Sequence, residues 1–368
     1  MEFGGGVYGR KVFMVRAASS EAGPCDYTRC PEPLLYAHPE STRVRASFYT
    51  VKGPAREVLQ VGELPTPSPA PGEVRVRVAF SGANPSDVKA RAGASGPTMQ
   101  YPRVIPHSDG AGVIDAVGKD IGSGWIGRRV WIFNGQWDRA AGTAAEYIVL
   151  PASQVVVLPD SVSFEHGASI GIPLMTAYHA IAWCGDVRNR TVLVPGAAGS
   201  VGQYAVQLAK RNGARVIATV SSEAKAARAR AAGADEVVNY RSEKVGPRVR
   251  ELTQGHGADF VIEVDAAANA PAYGEILGYG GKVVVYGSGQ GTIGMPFRPL
   301  ISSFATVYFF IVYRLKADVL LETIRAVTTL LEEGALQHPD TKIFPLEDIA
   351  AAHELVERGA DGKVLVRL

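Results

Sequence analysis

From Arg45 onward the apolar positions follow two rhythms. Up to Leu150 they alternate with polar ones or come in short runs broken by glycine. Glu73-Val74-Arg75-Val76-Arg77-Val78 alternates charged and apolar side chains, as a strand with one wet face does. Phe48–Val51, Val113–Val117, Arg129–Phe133 and Glu146–Leu150 read as further strands, and Pro65–Gly72 as a stiff proline loop ending in a turn. After Ser163 strand and helix patterns take turns. Strands are predicted at Thr191–Val194, Arg215–Thr219, Glu236–Val238, Phe260–Glu263 and Lys282–Tyr286, and helices at Val201–Arg211, Ser222–Ala232, Lys244–Thr253 and Ala270–Leu277. Nearly all-apolar strands alternating with helices indicate an α/β region with a doubly wound parallel sheet. The tail returns to a mixed pattern: helices at Ala317–Glu333 and Leu346–Gly359, then a strand at Lys363–Leu368. Four segments are expected: an extension at 1–44, a β-rich domain at 45–172, a nucleotide-binding domain at 173–309, and a return to the first domain at 310–368.

Composition narrows the classes. The 368 residues suffice for two domains, 46% are hydrophobic and 20% charged, and 38 basic residues against 36 acidic ones leave a net charge of +2. That balance offers no basic stripe for nucleic acid or a membrane surface. The longest apolar candidate, Phe304–Val312, falls short of the roughly 18–20 residues that span a bilayer, and reads as a buried or interface strand. Cys25, Cys30 and Cys184 cannot build a disulfide framework, which fits a reducing, cytoplasmic location; Cys184 reads as a structural thiol. Residues 1–44 lack lasting periodicity and carry acids throughout, unlike a transit peptide, and read as a poorly ordered extension.

The chemistry begins at Val194-Pro195-Gly196-Ala197-Ala198-Gly199-Ser200-Val201-Gly202. Glycines every third residue, between a β-branched strand and an amphipathic helix, suit a loop that lets a pyrophosphate approach the helix N-terminus. Gly196 allows the turn, Gly199 the close approach and Gly202 the packing of helix on sheet. At the end of the next strand an NAD site wants an acid for the ribose hydroxyls. Here stand Ser221, Ser222 and Lys225, which suit a 2′-phosphate and favour NADPH. Glu223 argues mildly the other way, although an acid in a first helical turn is also explained by the helix dipole.

Three further runs, Gly82-Ala83-Asn84-Pro85-Ser86-Asp87-Val88, Ile105-Pro106-His107-Ser108-Asp109-Gly110-Ala111-Gly112 and Gly142-Thr143-Ala144-Ala145-Glu146-Tyr147, join the glycine loop, Gly171–Tyr178, Val238–Arg241, Phe344–Ile349 and Gly362-Lys363. As an ordered set over Arg45–Leu368 they resemble the zinc-independent quinone oxidoreductase (zeta-crystallin-like) branch of the medium-chain dehydrogenase/reductase superfamily. The resemblance implies a GroES-like catalytic domain beside a Rossmann sheet, and a homodimer. It implies catalytic roles beside the nicotinamide for Asn84 and Asp87; the plain alternative is an Asn-Pro-Ser turn with an aspartate helix cap. It places Ala198, Gly199, Ser200 and Val201 around the pyrophosphate. Ser221, Lys225 and Tyr240 fall around the 2′-phosphate and adenine ribose, Thr176 near the nicotinamide ribose, and Tyr286, Gly287, Ser288 and Gly289 under the nicotinamide. Lys89 and Lys363 are implied as cofactor contacts, with a surface role equally open for Lys363. Zinc-dependent relatives carry Cys and His where this chain has Asn84 and Ser108, so no metal is expected.

Without a metal to polarise an alcohol, the expected reaction is hydride transfer from NADPH to a small-molecule quinone or enone. Reduction of 2-enoyl or 2-alkenal substrates is the sibling reading. A non-catalytic NADPH-binding protein, crystallin-like or RNA-binding, is the reading from another class. The aromatic run Phe304, Tyr308, Phe309, Phe310 and Tyr313 suits either a subunit interface or a wall for a flat acceptor.

Overall fold

The computed structural model describes residues 43–94 and 96–368. Cys25, Cys30 and all but the last two residues of the expected extension lie outside them. Those two, Arg43 and Val44, open strand β1 (Arg43–Phe48), which pairs antiparallel with β2 (Gln60–Pro65). The strand expected at Phe48–Val51 is therefore displaced toward the N-terminus. The β2 register runs from Arg43 opposite Pro65 to Phe48 opposite Gln60, and beyond Tyr49 the chain bends toward Gly53 and Pro54.

A second, seven-strand sheet is organised around β3 (Glu73–Ala83). Its alternating start buries Val74 and Val76 on one face. It pairs antiparallel with β4 (Asp109–Val117), which pairs with β5 (Arg129–Ile132). β6 (Tyr147–Pro151) also lies along β3, and β7 (Val155–Val157) along β5. Two register shifts against β4, at Arg75/Val76 and Val78/Phe80, interrupt the ladder. Bulges of this kind bend a strand and let one strand serve several partners.

The next six strands build a parallel sheet: β8 (Thr191–Pro195), β9 (Arg215–Val220), β10 (Glu236–Asn239), β11 (Ala258–Glu263), β12 (Leu277–Val285) and β13 (Thr306–Phe309). Their order is β10-β9-β8-β11-β12-β13. In chain order that is 3-2-1-4-5-6, the arrangement whose reversal beside the first strand leaves a crevice for a dinucleotide. The continuous apolar runs are explained by burial on both faces: Val192, Leu193, Val194, Val216, Ile217 and Ala218 are all fully buried. The helix expected at Ala270–Leu277 is broken into short turns at 270–272 and 273–276, and Leu277 already belongs to β12. Pro271, Gly274 and Gly278 explain the break, since they favour turns over an uninterrupted helix.

The tail then rejoins the antiparallel sheet. β15 (Lys363–Arg367) pairs with β3, and β14 (Thr341–Pro345) pairs parallel with β15. This return brings Lys363 beside Ala83 and Asn84, almost three hundred residues earlier. β13 pairs with β12 on one side, and Phe309 on it is 52% exposed, so it is an edge strand rather than a buried one. Among the described residues, no helix is long and apolar enough to cross a membrane.

Candidate active site

β3 ends at Ala83, and the helix Pro85–Ala92 begins two residues later with Asn84 as its N-cap. Proline at the first helical position needs no N–H there, and Asp87 closes the cap by accepting the Asn84 backbone N–H at 2.8 Å. The helix-cap reading of Asp87 is thus what the geometry contains. The same geometry leaves its carboxyl buried. Burial first, and the Asp109 charge second, push Asp87 up to about 7.

Asn84 is itself buried and its side chain is fully engaged. Nδ2 donates to Asp109 Oδ2 at 2.8 Å and to the Gly82 carbonyl at 3.3 Å, while Oδ1 accepts from the Lys363 ammonium at 2.6 Å. The ammonium also lies 2.9 Å from Asp109 Oδ2, and the two side chains are 1% and 0% exposed. The other Asp109 oxygen accepts the Ile172 backbone N–H at 2.8 Å, at the start of the helix Gly171–Cys184. Lys363 is therefore not a surface lysine, and its charge faces Asn84 and Asp109 rather than an open phosphate site.

Next to this knot His107, at φ 77°, shares a hydrogen bond of 2.9 Å with His353 and another of 2.8 Å with Ser81. Burial holds both imidazoles below their ordinary value, His353 down to about 3.

The glycine loop leaves β8 at the crevice. Gly196 sits at φ +64°, and a Cβ at Gly202 would lie 2.4 Å from the Gly196 carbonyl oxygen, so the helix Ser200–Arg211 packs on the loop only because that atom is absent. At Gly199 the nearest heavy atom to a Cβ would be 3.3 Å away, and no second one lies within 4 Å; the loop is open on that side. Gly199 is the N-cap, so the first backbone N–H groups of the helix face the crevice unpaired within the helix. Ala198 is buried, Val201 is half-buried, and Ser200 Oγ donates to the Gly362 carbonyl at 3.1 Å, tying the loop to the returning tail.

Ser221 and Tyr240 directly follow β9 and β10, and Lys225 lies in the first turn of the helix after β9. The Tyr240 N–H donates to the Val220 carbonyl at 3.1 Å, and its side chain is 51% exposed, which sets aside core packing for it. The Ser222 hydroxyl caps the helix Glu223–Ala231 by accepting the Lys225 N–H at 3.3 Å. Lys225 stands 3.4 Å from Asp361, a carboxylate shared with Arg228 at 3.3 Å, while Glu223 is drawn away onto Arg230 at 2.6 Å. Arg228 and Asp361 were not singled out in the sequence; neither lies in a motif, and the tail brings Asp361 in from far along the chain.

Across the cleft, the helix Pro85–Ala92 touches the parallel sheet's carboxyl edge twice. Lys89 Nζ donates to the Ser288 carbonyl at 2.8 Å, joining two expected cofactor residues, and Ser86 Oγ lies 2.9 Å from Tyr313 Oη. Residues 86 and 89 are three apart and share a helix face. Gly289 donates its N–H to Asp265 Oδ1 at 2.7 Å, and a Cβ at Gly287 would strike the Val264 carbonyl at 2.3 Å. Tyr286 and Thr176 lie inward of this rim, half-buried and buried. Tyr313 stacks on Trp137 with centroids 4.4 Å apart and planes at 11°. Trp137 was missed in the sequence, where a lone aromatic in a glycine-rich loop carries no pattern. Cys184 is a buried free thiol pushed up to about 12 by its surroundings, as a structural thiol should be.

Two family models match parts of the chain: residues 70–160 match the Alcohol dehydrogenase GroES-like domain, and residues 200–332 match the family described as Zinc-binding dehydrogenase. The quinone oxidoreductase of Homo sapiens is 31% identical over 318 residues, 85% of this chain and 94% of its own length. Among solved structures, Pseudomonas syringae pv. Tomato DC3000 quinone oxidoreductase is 30% identical with a TM-score of 0.79, covering 88% of this chain and 100% of that one. An NAD-dependent alcohol dehydrogenase is 33% identical, also with TM-score 0.79, over 88% and 99% of the two chains. A mycobacterial protein complexed with NADPH is 27% identical, TM-score 0.78, over 88% and 100%. A GroES-like domain and a Rossmann-type parallel sheet, with relatives that point to a nicotinamide cofactor, define an oxidoreductase of the medium-chain dehydrogenase/reductase superfamily. Within it, the chain belongs to the quinone oxidoreductase family.

Proposed function

We propose that the chain is an NADPH-dependent reductase that passes hydride to quinones or related conjugated carbonyls without zinc. The observation that carries this reading is the Lys363 ammonium lying between Asn84 Oδ1 and Asp109 Oδ2. A catalytic zinc takes about three nitrogen, sulfur or oxygen protein ligands. Here the position expected to hold Cys has an amide, the next has Ser108, and the nearest carboxylate already faces a cation. Among the described residues, no group of three or more His, Cys, Asp or Glu is placed to hold a metal. The donor set does not fit the ion. The acceptor must then be electrophilic by itself, which suits a quinone or an enone better than an alcohol–ketone pair.

The residues do fit a dinucleotide. The loop from Ala198 to Val201 would receive its diphosphate at the helix N-terminus, through the N–H groups of Ser200 and Val201 and the open side of Gly199. Ser221, Lys225, Arg228 and Tyr240 would surround the 2′-phosphate and adenine ribose, with Lys225 and Arg228 turning from Asp361 to the phosphate. Tyr286–Gly289, Thr176 and Lys89 would border the nicotinamide end. The bound cofactor supplies the hydride. Lys363 and Asp109 hold the Asn84 amide in one orientation on the cleft floor, and Asp87 fixes the turn that carries it. We also propose a homodimer through the edge of β13, where Phe304, Phe309 and Ile311 are all more than two-fifths exposed.

Steady-state NADPH oxidation with 1,4-benzoquinone, 9,10-phenanthrenequinone and an enal tests the reading. Turnover with at least one acceptor is expected. Tight NADPH binding without turnover of any of them would overturn it.

A further inference from the structure

Hydride transfer to a conjugated carbonyl leaves an electron pair on the carbonyl oxygen, and that oxygen needs a donor. The polar side chains of the cleft floor are already committed. Both N–H bonds of the Asn84 amide point at Asp109 and Gly82, the Lys363 ammonium faces Asn84 and Asp109, and both ring nitrogens of His107 have partners in Ser81 and His353. One hydroxyl cluster differs, because each of its members, Ser86, Tyr313 and the buried Ser108, can both donate and accept. Tyr313, in the turn just beyond the carboxyl end of β13, extends its Oη to within 2.9 Å of Ser86 Oγ, and either atom of the pair can be the donor. Ser86 is the second residue after Asn84 and the immediate neighbour of Asp87. The phenol is thus delivered from the sheet carrying the cofactor crevice to the helix carrying the expected catalytic residues. Its ring is fixed by the stack on Trp137, itself flanked by the Arg314 guanidinium at 5.6 Å from the ring centre.

We propose that the Tyr313 hydroxyl is the hydrogen-bond and proton donor to the carbonyl oxygen of the acceptor, with Ser86 returning the proton from solvent. The assignment rests on the reductase reading above and deepens it. For an enone, the hydride from NADPH forms a C–H bond at the β-carbon and the double-bond pair moves toward the carbonyl. Its oxygen takes the Tyr313 proton as the phenolic O–H breaks. NADP+ and an enol leave, the enol tautomerises, and the tyrosinate regains a proton from water through Ser86 Oγ. The sum is acceptor, NADPH and one proton giving reduced acceptor and NADP+. Burial first, then the Asp87 charge, push the phenol above its ordinary value, with the Ser86 and Ser108 hydroxyls acting the other way, so the phenol is a neutral donor whose proton leaves only for an oxygen made basic as the hydride arrives.

The test is Tyr313→Phe, which keeps the ring stacked on Trp137, beside Ser86→Ala. For Tyr313→Phe, kcat/KM with trans-2-hexenal should fall about 100-fold, the range for losing a positioned general acid. The drop should be about 10-fold with 1,4-benzoquinone, which needs less activation. The solvent deuterium effect on kcat should shrink in both variants, while NADPH affinity stays within about twofold. In cofactor-free protein, calorimetric titration with 9,10-phenanthrenequinone should show about fivefold weaker binding to Tyr313→Phe, as one lost hydrogen bond predicts. A Tyr313→Phe enzyme with unchanged kcat/KM and an unchanged isotope effect overturns the assignment and leaves the reductase reading standing. Wild-type protein that turns over neither acceptor overturns both.

Discussion

The floor of the cleft and the rim at the ends of β9 and β10 are both built from polar residues, and they are built oppositely. On the floor, Asn84, Asp109 and Lys363 are buried, within 3 Å of one another, and matched in charge. At the rim, Lys225, Arg228 and Asp361 form looser ion pairs of 3.3–3.4 Å on partly exposed side chains. A buried pair is costly to break because the partner is left charged without solvent, whereas an exposed pair contributes little and exchanges readily. The floor is therefore a finished structural element, and the rim is a set of exchangeable ion pairs, as the proposed 2′-phosphate role requires.

The largest effect should come from the floor. Lys363→Met leaves Asp109 unpaired where it is 0% exposed, and should cost about 3–5 kcal/mol in urea unfolding. Adding Asp109→Asn should restore part of that; a single variant losing under about 1 kcal/mol would break the contrast. Gly202→Ala comes next. Its Cβ would meet the Gly196 oxygen, so a loss of about 1–3 kcal/mol and weaker NADPH binding are expected.

The pH dependence sharpens the comparison further. His107, His353 and His338 all titrate below the ordinary imidazole value in the fold, with burial the leading cause. Their stabilising contribution is complete above about 6.5, the unfolded value, and is lost as pH falls below it. Asp87, raised to about 7, acts in the other direction: its contribution is complete below about 4 and is lost as pH rises to about 7. With His166 and His179 also lowered, five imidazoles outweigh the two raised carboxyls, Asp87 and Glu263, so thermal stability should fall between pH 6.5 and 4. Asp87→Asn should steepen that fall; a flatter profile would refute the burial-driven account of Asp87.

The smallest stability effect belongs to the rim. Lys225→Ala should change unfolding by under about 1 kcal/mol. It should nevertheless weaken NADPH binding about 10-fold, and NADH binding hardly at all. Equal losses for the two cofactors would refute the 2′-phosphate assignment.

This same division explains what could be read from the chain. The parallel sheet was legible because strands buried on both faces are written as apolar runs, and Val192–Val194 and Val216–Ala218 are such runs. The glycine loop was legible because its requirement is local: Gly196 and Gly202 answer to atoms a few residues away. The partner of Asn84 was not. Lys363 reaches it only because β15 returns to β3, and nothing near Gly362-Lys363 says that the ammonium will be buried. Trp137, in the loop after β5, and Tyr313, beyond β13, likewise meet only in the fold. The strand misplaced at Phe48–Val51 shows a milder form of this: its side chains favour a strand, but the position of β2 decides where pairing ends.

Hydride transfer to a conjugated acceptor without a metal can be tested in one measurement. NADPH oxidation by 1,4-benzoquinone is followed before and after exhaustive treatment with a strong chelator, alongside NADP+ reduction by a primary alcohol. Quinone turnover unchanged by the chelator, with no alcohol oxidation, is the predicted result. Alcohol oxidation abolished by the chelator and restored by zinc would contradict the account.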